Sequence, residues 1–437
     1  MKLIFCSLFV FVVLIFGTFK VGAQSDAAVK NNVSEIHNVW LDKALQLTKN
    51  CVGFSAPVSS RAFMYLTIGM YESSVEIMDS LVSLNGQLKD YQRTVWNENR
   101  TALNWEIVVN SADFTLISYL YRNMPPKNRK EIVALNDSIV SAQSKFDSRS
   151  INYGIQIAEE IINWSKGDGG DKGFENNFPD DFNPPVCDSC WVKTTPNYLS
   201  ALLPTWGENK NLIAGSDAVV ADCQVLPFST DSSSLLYKDA DGILELSKSL
   251  SPEYEIIAEY WNDAPGYTGT PSGHFFSLAR NLTGAHKLSP EETLICYVKL
   301  GIALNESNIH AWRLKYKYSF IRPITYIHRY IDGQFNSFIP TPPFPEFPSG
   351  HSFQSGSGTE IFASIFGASI QIVDNTHVNR TDIDGTPRVF NSFSEMGEEI
   401  SISRYYGGIH FLETLNISLD YGRRLGRYVN QSIQCRP

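Results

Sequence analysis

Three short stretches in the last third of the chain carry side chains suited to holding a highly charged anion. In Lys315-Tyr-Lys-Tyr-Ser-Phe-Ile-Arg322-Pro323 two cations stand seven positions apart. That is close to two helical turns, so the spacing predicts both on one face of one helix, which Pro323 stops or kinks. In Pro348-Ser349-Gly350-His351 a proline-rich approach delivers a hydroxyl, an unshielded backbone N–H and an imidazole to a helix N-terminus. Unpaired N–H groups and the helix dipole favour an anion there. In Ser403-Arg404-Tyr-Tyr-Gly-Gly-Ile-His410, Arg404 ends one helix, Gly407-Gly408 lets the chain reverse, and His410 opens the next.

Together these stretches supply three cations, a hydroxyl, backbone donors and two histidines. The set suits a tetrahedral trianion or a trigonal-bipyramidal transition state, with donors on the oxygens, one imidazole on the central atom and the other moving protons. Each piece alone says little. A Lys/Arg pair on a helix is usually a solvated face, and a second Pro-Ser-Gly-His occurs at Pro271–His274 without a cationic helix before it. The weight lies in all three occurring in order.

The pattern Lys-x6-Arg-Pro, Pro-Ser-Gly-His and Ser-Arg-x5-His resembles the superfamily shared by vanadium-dependent haloperoxidases and type 2 phosphatidic acid phosphatases, which includes bacterial acid phosphatases. The motifs cover 315–410. The resemblance implies that Lys315, Arg322, Ser349, Gly350 and Arg404 bind the oxyanion. It implies that His410 is the ligand of vanadate, or the phosphorylated nucleophile of a phosphatase, and that His351 is the acid–base.

Vanadate mimics phosphate in shape and charge, so these residues do not separate the two chemistries. Chain length and the resemblance favour the peroxidase. Trp312 and Phe344, the latter in Phe344-Pro-Glu-Phe-Pro-Ser-Gly-His351, look like the aromatic halide pocket of haloperoxidases, with core packing as the plain alternative. Asp263, in Tyr260-Trp-Asn-Asp263, resembles an aspartate that pairs with an oxyanion-binding arginine, here Arg404; a cap or surface carboxylate is the alternative. The implied activity is oxidation of halide by hydrogen peroxide through a peroxovanadate on His410, assisted by His351 and Lys315, with vanadate as cofactor and small organic molecules as halogen acceptors. The alternative is a secreted acid phosphatase working through a phosphohistidine at His410, without a cofactor. A non-catalytic anion-binding helical module is a third reading, disfavoured by the intact histidine pair. Nothing discriminates among iodide, bromide and chloride.

The elements that must position these residues read as helices. Arg61–Asp79, Ala102–Arg122, Lys127–Phe146, Ile151–Lys166, Ser234–Leu250, Pro252–Trp261, His274–Leu282 and Ser289–Tyr318 all repeat apolar residues at three and four. Gly350–Phe366, Ser392–Tyr406 with a capping box at Ser392 and Glu395, and His410–Gln434 complete the series. Gly167–Trp206, rich in Gly, Pro and Asp, reads as a long surface loop of the kind that is often functional or a domain joint. Strand alternation is nearly absent. The expectation is an all-α protein of two packed helical bundles: a leader over 1–23, an N-terminal helical region over 24–230, and a C-terminal bundle over 231–437 carrying the site, with helices of both halves packed as one unit.

The 437 residues carry a formal charge of −10, with 43% hydrophobic and 12% aromatic residues. That balance argues against disorder and against a binder of nucleic acid, which needs a basic face. Met1–Ala23, with Lys2, an apolar core and Val-Gly-Ala at its end, reads as a cleaved export signal, so the mature protein is expected to be secreted or periplasmic and without a membrane span. Cys51, Cys187, Cys190, Cys223, Cys296 and Cys435 would remain; Cys187-Asp-Ser-Cys190 reads as a structural disulfide or inert thiols rather than a redox pair or half a zinc site. His37, His286, His310, His328 and His377 have no partner at ligand spacing and read as structural or surface residues. Zinc-peptidase, dinucleotide, Walker and nucleophile-elbow motifs are absent.

Overall fold

The computed structural model describes residues 26–94, 103–143 and 147–437. The leader over 1–23 lies outside them, as do the start of the Ala102–Arg122 stretch and the end of Lys127–Phe146. The described residues are built on helices, with two three-residue strands among them. Among the described residues no helix is long and apolar enough to cross a membrane.

The first helices are α1 (Asp26–Asn50), α2 (Ala56–Ser74), α3 (Trp105–Leu120), α4 (Pro126–Ser141) and α5 (Ser148–Ser165). In α1 the buried Val33, Ile36, Trp40, Leu41, Ala44 and Leu47 repeat at three and four, so one stripe faces the core. Helices α1, α2, α3 and α5 pack on one another as the first bundle. The following stretch holds a single 3₁₀ turn (Trp206–Glu208) and a short helix α6 (Ser216–Val219), and is otherwise irregular. It is not merely surface: Trp191, Leu202 and Trp206 are buried, and Leu202 O accepts from Trp312 Nε1.

Next come α7 (Leu235–Lys248), α8 (Pro252–Tyr260), α9 (Thr270–Ala285) and α10 (Pro290–Tyr318). Helix α10 starts with a complete capping box, Ser289 with Glu292, and Pro290 at its first position. It is buried nearly along its whole length and packs on α2 on one side and on α12 (Gly350–Phe366) on another. The second bundle is α10 and α12 with α13 (Phe393–Tyr406) and α14 (Leu412–Ser432). Between α12 and α13 the strands β1 (Ile372–Asp374) and β2 (Arg388–Phe390) pair antiparallel, with Ile372 opposite Phe390.

Three local expectations need correction. Lys315 and Arg322 do not share a helix: α10 ends at Tyr318, Ser319 turns left-handed at φ 46°, and Arg322 is the N-cap of a separate α11 (Pro323–Tyr330). His410 does not open α14 but lies in the turn before it, after Gly408 at φ +74°. At Ser392 only half the capping box forms: Ser392 Oγ accepts from Glu395 N–H, whereas the Glu395 carboxylate takes the N–H of Asn391.

Candidate active site

Four segments converge on His410. Lys315 comes from the last turn of α10, Arg322 from the N-cap of α11, Ser349 to His351 from the start of α12, and Arg404 from the last turn of α13. Lys315, Arg322 and Arg404 are each at most 1% exposed. Removing cations from water costs several kcal/mol each unless an anion answers them.

Arg322 Nε donates to Phe344 O at 2.9 Å and Nη1 to Ile409 O at 2.9 Å, with His410 Nε2 3.2 Å from Nη1. Its Nη2 is buried without a partner. Arg404 is held by Ser403 Oγ and by Ala258 O, both at 3.0 Å. Lys315 differs: its ammonium donates to the carbonyls of Pro345, Glu346 and Pro348, and lies 4.9 Å from the centre of the Phe344 ring. Burial lowers the pKa of all three. Arg322 and Arg404 fall to about 10, with Glu346 pulling the first back up and Asp263 the second. Lys315 falls well below the usual range through burial and then Arg322.

Ser349 caps α12, accepting from the Ser352 N–H at 3.3 Å, while its own N–H donates to Ser418 Oγ. Gly350 and His351 are the first helical residues, whose N–H groups have no carbonyl within the helix to receive them. His351 is half-buried, and its Nε2 has no partner. Burial and then Arg404 lower its pKa to about 3, against the pull of Asp263 and of the Trp261 carbonyl, so it is a neutral base at ordinary pH.

His410 is 2% exposed, and its Nδ1 lies 2.7 Å from Glu346 Oε1. The same carboxylate accepts from Phe411 N–H at 3.2 Å and Thr414 Oγ at 3.0 Å. Its other two partners are donors, so Nδ1 carries the imidazole proton and Nε2 is left facing the cations. Burial lowers the pKa of His410 well below normal, followed by the charges of Arg322 and Lys315. Burial also pushes Glu346 up to about 7, against Arg322 and Lys315. The sequence motifs do not single out Glu346, whose signal there is its place between the aromatics of Phe344-Pro-Glu-Phe347.

A cavity of about 920 Å³ reaches His410, His351, Gly350 and Arg404, with Trp312, Phe344 and Asp263 also on its wall. Lys315, Arg322 and Ser349 are not among its lining residues. The Trp312 and Phe344 rings lie 5.1 Å apart. Asp263 is near the cage but makes no ion pair with Arg404. His274 Nδ1 takes its carboxylate at 2.9 Å, while Arg404 is engaged by Ser403 and Ala258. Cys187 and Cys190 are disulfide-bonded, and Cys51, Cys223, Cys296 and Cys435 are buried free thiols.

An unpartnered guanidinium nitrogen, an unpartnered imidazole nitrogen and three buried cations fit a tetrahedral oxyanion such as vanadate. The family model described as the VCPO second helical-bundle domain matches residues 329–436, a stretch that includes Ser349–His351, Arg404 and His410. A structure described as the first bacterial vanadium-dependent iodoperoxidase superposes with a TM-score of 0.82 at 27% identity, covering 92% of this chain and 97% of that one. A holo-type bacterial vanadium-dependent chloroperoxidase superposes with a TM-score of 0.64 at 15% identity, covering 87% and 93%. No curated protein matches by sequence. The chain thus shares the fold of these vanadium-dependent peroxidases over most of its length, and its residues 329–436 match the family model of their second bundle.

Proposed function

We propose that this protein is a vanadium-dependent haloperoxidase that oxidises halide with hydrogen peroxide, iodide being the expected halide. The observation that carries the reading is the buried excess of positive charge around His410, with Arg322 Nη2 and His351 Nε2 left unpartnered beside it. The likeness to the iodoperoxidase structure supports the peroxidase over the phosphatase and directs attention to iodide.

Arg322, Arg404, Ser349 and the Gly350 N–H would hold the oxyanion, Lys315 would add its charge from the end of α10, and His410 Nε2 would be the ligand. When bound, vanadate supplies a Lewis acid that activates peroxide without changing oxidation state. Glu346 keeps the His410 proton on Nδ1. His351, neutral and with Nε2 free, accepts the proton of hydrogen peroxide. Trp312 and Phe344 keep an apolar wall beside the cage, and the cavity leaves room for halide and a small organic acceptor. Export to an oxidising compartment is part of the proposal, supported by the Cys187–Cys190 bond.

The test is to assay iodide, bromide and chloride oxidation with hydrogen peroxide before and after vanadate loading, beside phosphomonoester hydrolysis by the vanadium-free protein. Vanadate-dependent iodide oxidation is expected. Phosphomonoester turnover with no halide oxidation after loading would overturn the reading in favour of the phosphohistidine enzyme.

A further inference from the structure

The second Pro-Ser-Gly-His is also at a helix start, that of α9, and its His274 lies in a buried cluster next to the cage. His274 Nε2 is 2.8 Å from Asp374 Oδ2 and Nδ1 is 2.9 Å from Asp263 Oδ2. His377, read from sequence as lacking a ligand partner, places Nε2 3.5 Å from Asp263 Oδ1. All four residues are at most 5% exposed. Asp263 Oδ1 and His377 Nε2 are both buried without a hydrogen-bond partner.

This arrangement needs either an extra proton or a cation. If Nε2 of His274 carries the proton and donates to Asp374, its Nδ1 lone pair faces a carboxylate oxygen, acceptor against acceptor. A second proton on His274 relieves that contact, and Asp263 Oδ1 is then left facing His377 Nε2 at 3.5 Å. Their separation is long for a hydrogen bond. It is close to the edge of a tetrahedron whose metal–ligand bonds are about 2.0–2.1 Å, which is about 3.3 Å. One divalent ion would answer all of these atoms at once.

We propose that Asp263, His274 Nδ1 and His377 Nε2 form a binding site for a divalent transition metal of the zinc type, separate from the oxyanion cage. One ligand atom from each of these residues lies within 4.8 Å of the others. Asp374 acts behind them, fixing His274 through Nε2 as carboxylates do for metal-bound histidines. Asp374 is itself fixed, since Oδ1 accepts from the Thr376 N–H and its carbonyl from the Tyr260 hydroxyl. Two nitrogens and one oxygen are a borderline-soft donor set, suited to zinc or cobalt rather than to calcium or magnesium. The ion would tie together the segment between α8 and α9, the first turns of α9 and the turn after β1. It would also hold Asp263 in place on the wall of the cavity that His351 and Arg404 share.

The test uses the full chain, treated with chelator and free of vanadate, titrated with Co²⁺. One equivalent is expected to bind with the visible absorption of four-coordinate cobalt, to be displaced by Zn²⁺, and to raise the melting temperature. His377→Gln is expected to lose the absorption while keeping a native circular dichroism spectrum. Asp374→Asn should bind roughly 10–100-fold more weakly. His410→Ala should bind cobalt as the wild type does, which separates this site from the cage. Absence of cobalt absorption and of any thermal shift in the wild type would overturn the proposal in favour of a clamped, protonated His274. Unchanged cobalt binding in a folded His377→Gln protein would overturn it as well.

Discussion

An imidazole that presents one nitrogen to an anion needs its other nitrogen held, and Glu346 does this for His410 across 2.7 Å. Glu346→Gln preserves shape but removes the charge and sets an amide N–H₂ among the donors of Phe411 and Thr414. Vanadate affinity is expected to fall about 10–100-fold, as when a partner behind a metal ligand is lost; a binding isotherm checks this. At this scale the sequence was informative where a residue type is rare in its context. Lys315, Arg322, Ser349, Gly350, His351, Arg404 and His410 could all be named from motifs, and the chain brings them into one region. Glu346 and His377 could not, because a carboxylate or histidine acquires its role from what folds against it, and those partners lie far along the chain. The Asp263 to Arg404 pairing failed for the same reason, as His274 from α9 claims the carboxylate.

Helix existence was legible from apolar periodicity, whereas helix ends depended on single backbone conformations. The left-handed Ser319 splits what reads as one cationic helix into α10 and α11, and no periodicity reports a φ of 46°. The result is that Arg322 can reach Ile409 O and His410, which a helix continuing through it would not arrange. Packing between elements is equally specific. A Cβ on Gly356 of α12 would lie 2.4 Å from Leu419 O of α14, a backbone atom that cannot yield without separating the helices. Gly356→Ala is expected to cost about 1–3 kcal/mol, read as a fall in melting temperature. Gly284→Ala near the end of α9, where nothing lies within 4 Å, should be neutral or stabilising by up to about 1 kcal/mol.

Helix α10 also carries a buried carboxylate, Glu306, which accepts from Leu212 N–H at 2.6 Å and Ser216 Oγ at 2.7 Å and so fixes the segment before α6. Burial raises its pKa from 4.5 to about 7. The native state therefore keeps a proton that the unfolded chain releases above pH 4.5. The associated stability is fully present below pH 4.5 and is lost as pH rises to 7, on the order of 3 kcal/mol. Glu306→Gln should remove this component. Denaturant melts of both proteins at pH 5 and pH 8 check it, the variant gaining relative to the wild type at the higher pH.

At the scale of the molecule, α10 is shared: it packs on α2 of the first bundle and on α12 of the second, and its last turn delivers Lys315. The sequence supported an all-α chain and the order of its helices. It did not show that the irregular stretch from 167 to 206 folds inward, placing Leu202 O against Trp312. Glycine and proline content marks loops but not which of them are buried. The first bundle thus acts on the site in two ways: it fixes the helix from which one of its cations projects, and the end of α1 with the turn into α2, residues 49–56, forms part of the cavity wall.

In the proposed function, His410 is the residue that holds an oxyanion within this buried cationic cage. The most direct measurement is vanadate binding to the wild type and to His410→Ala, with vanadium stoichiometry determined on both. One equivalent is expected in the wild type, with affinity at least about 100-fold weaker in the variant, a loss of ~2.7 kcal/mol. Equal binding by the two proteins, or no uptake by a folded wild type, would contradict it.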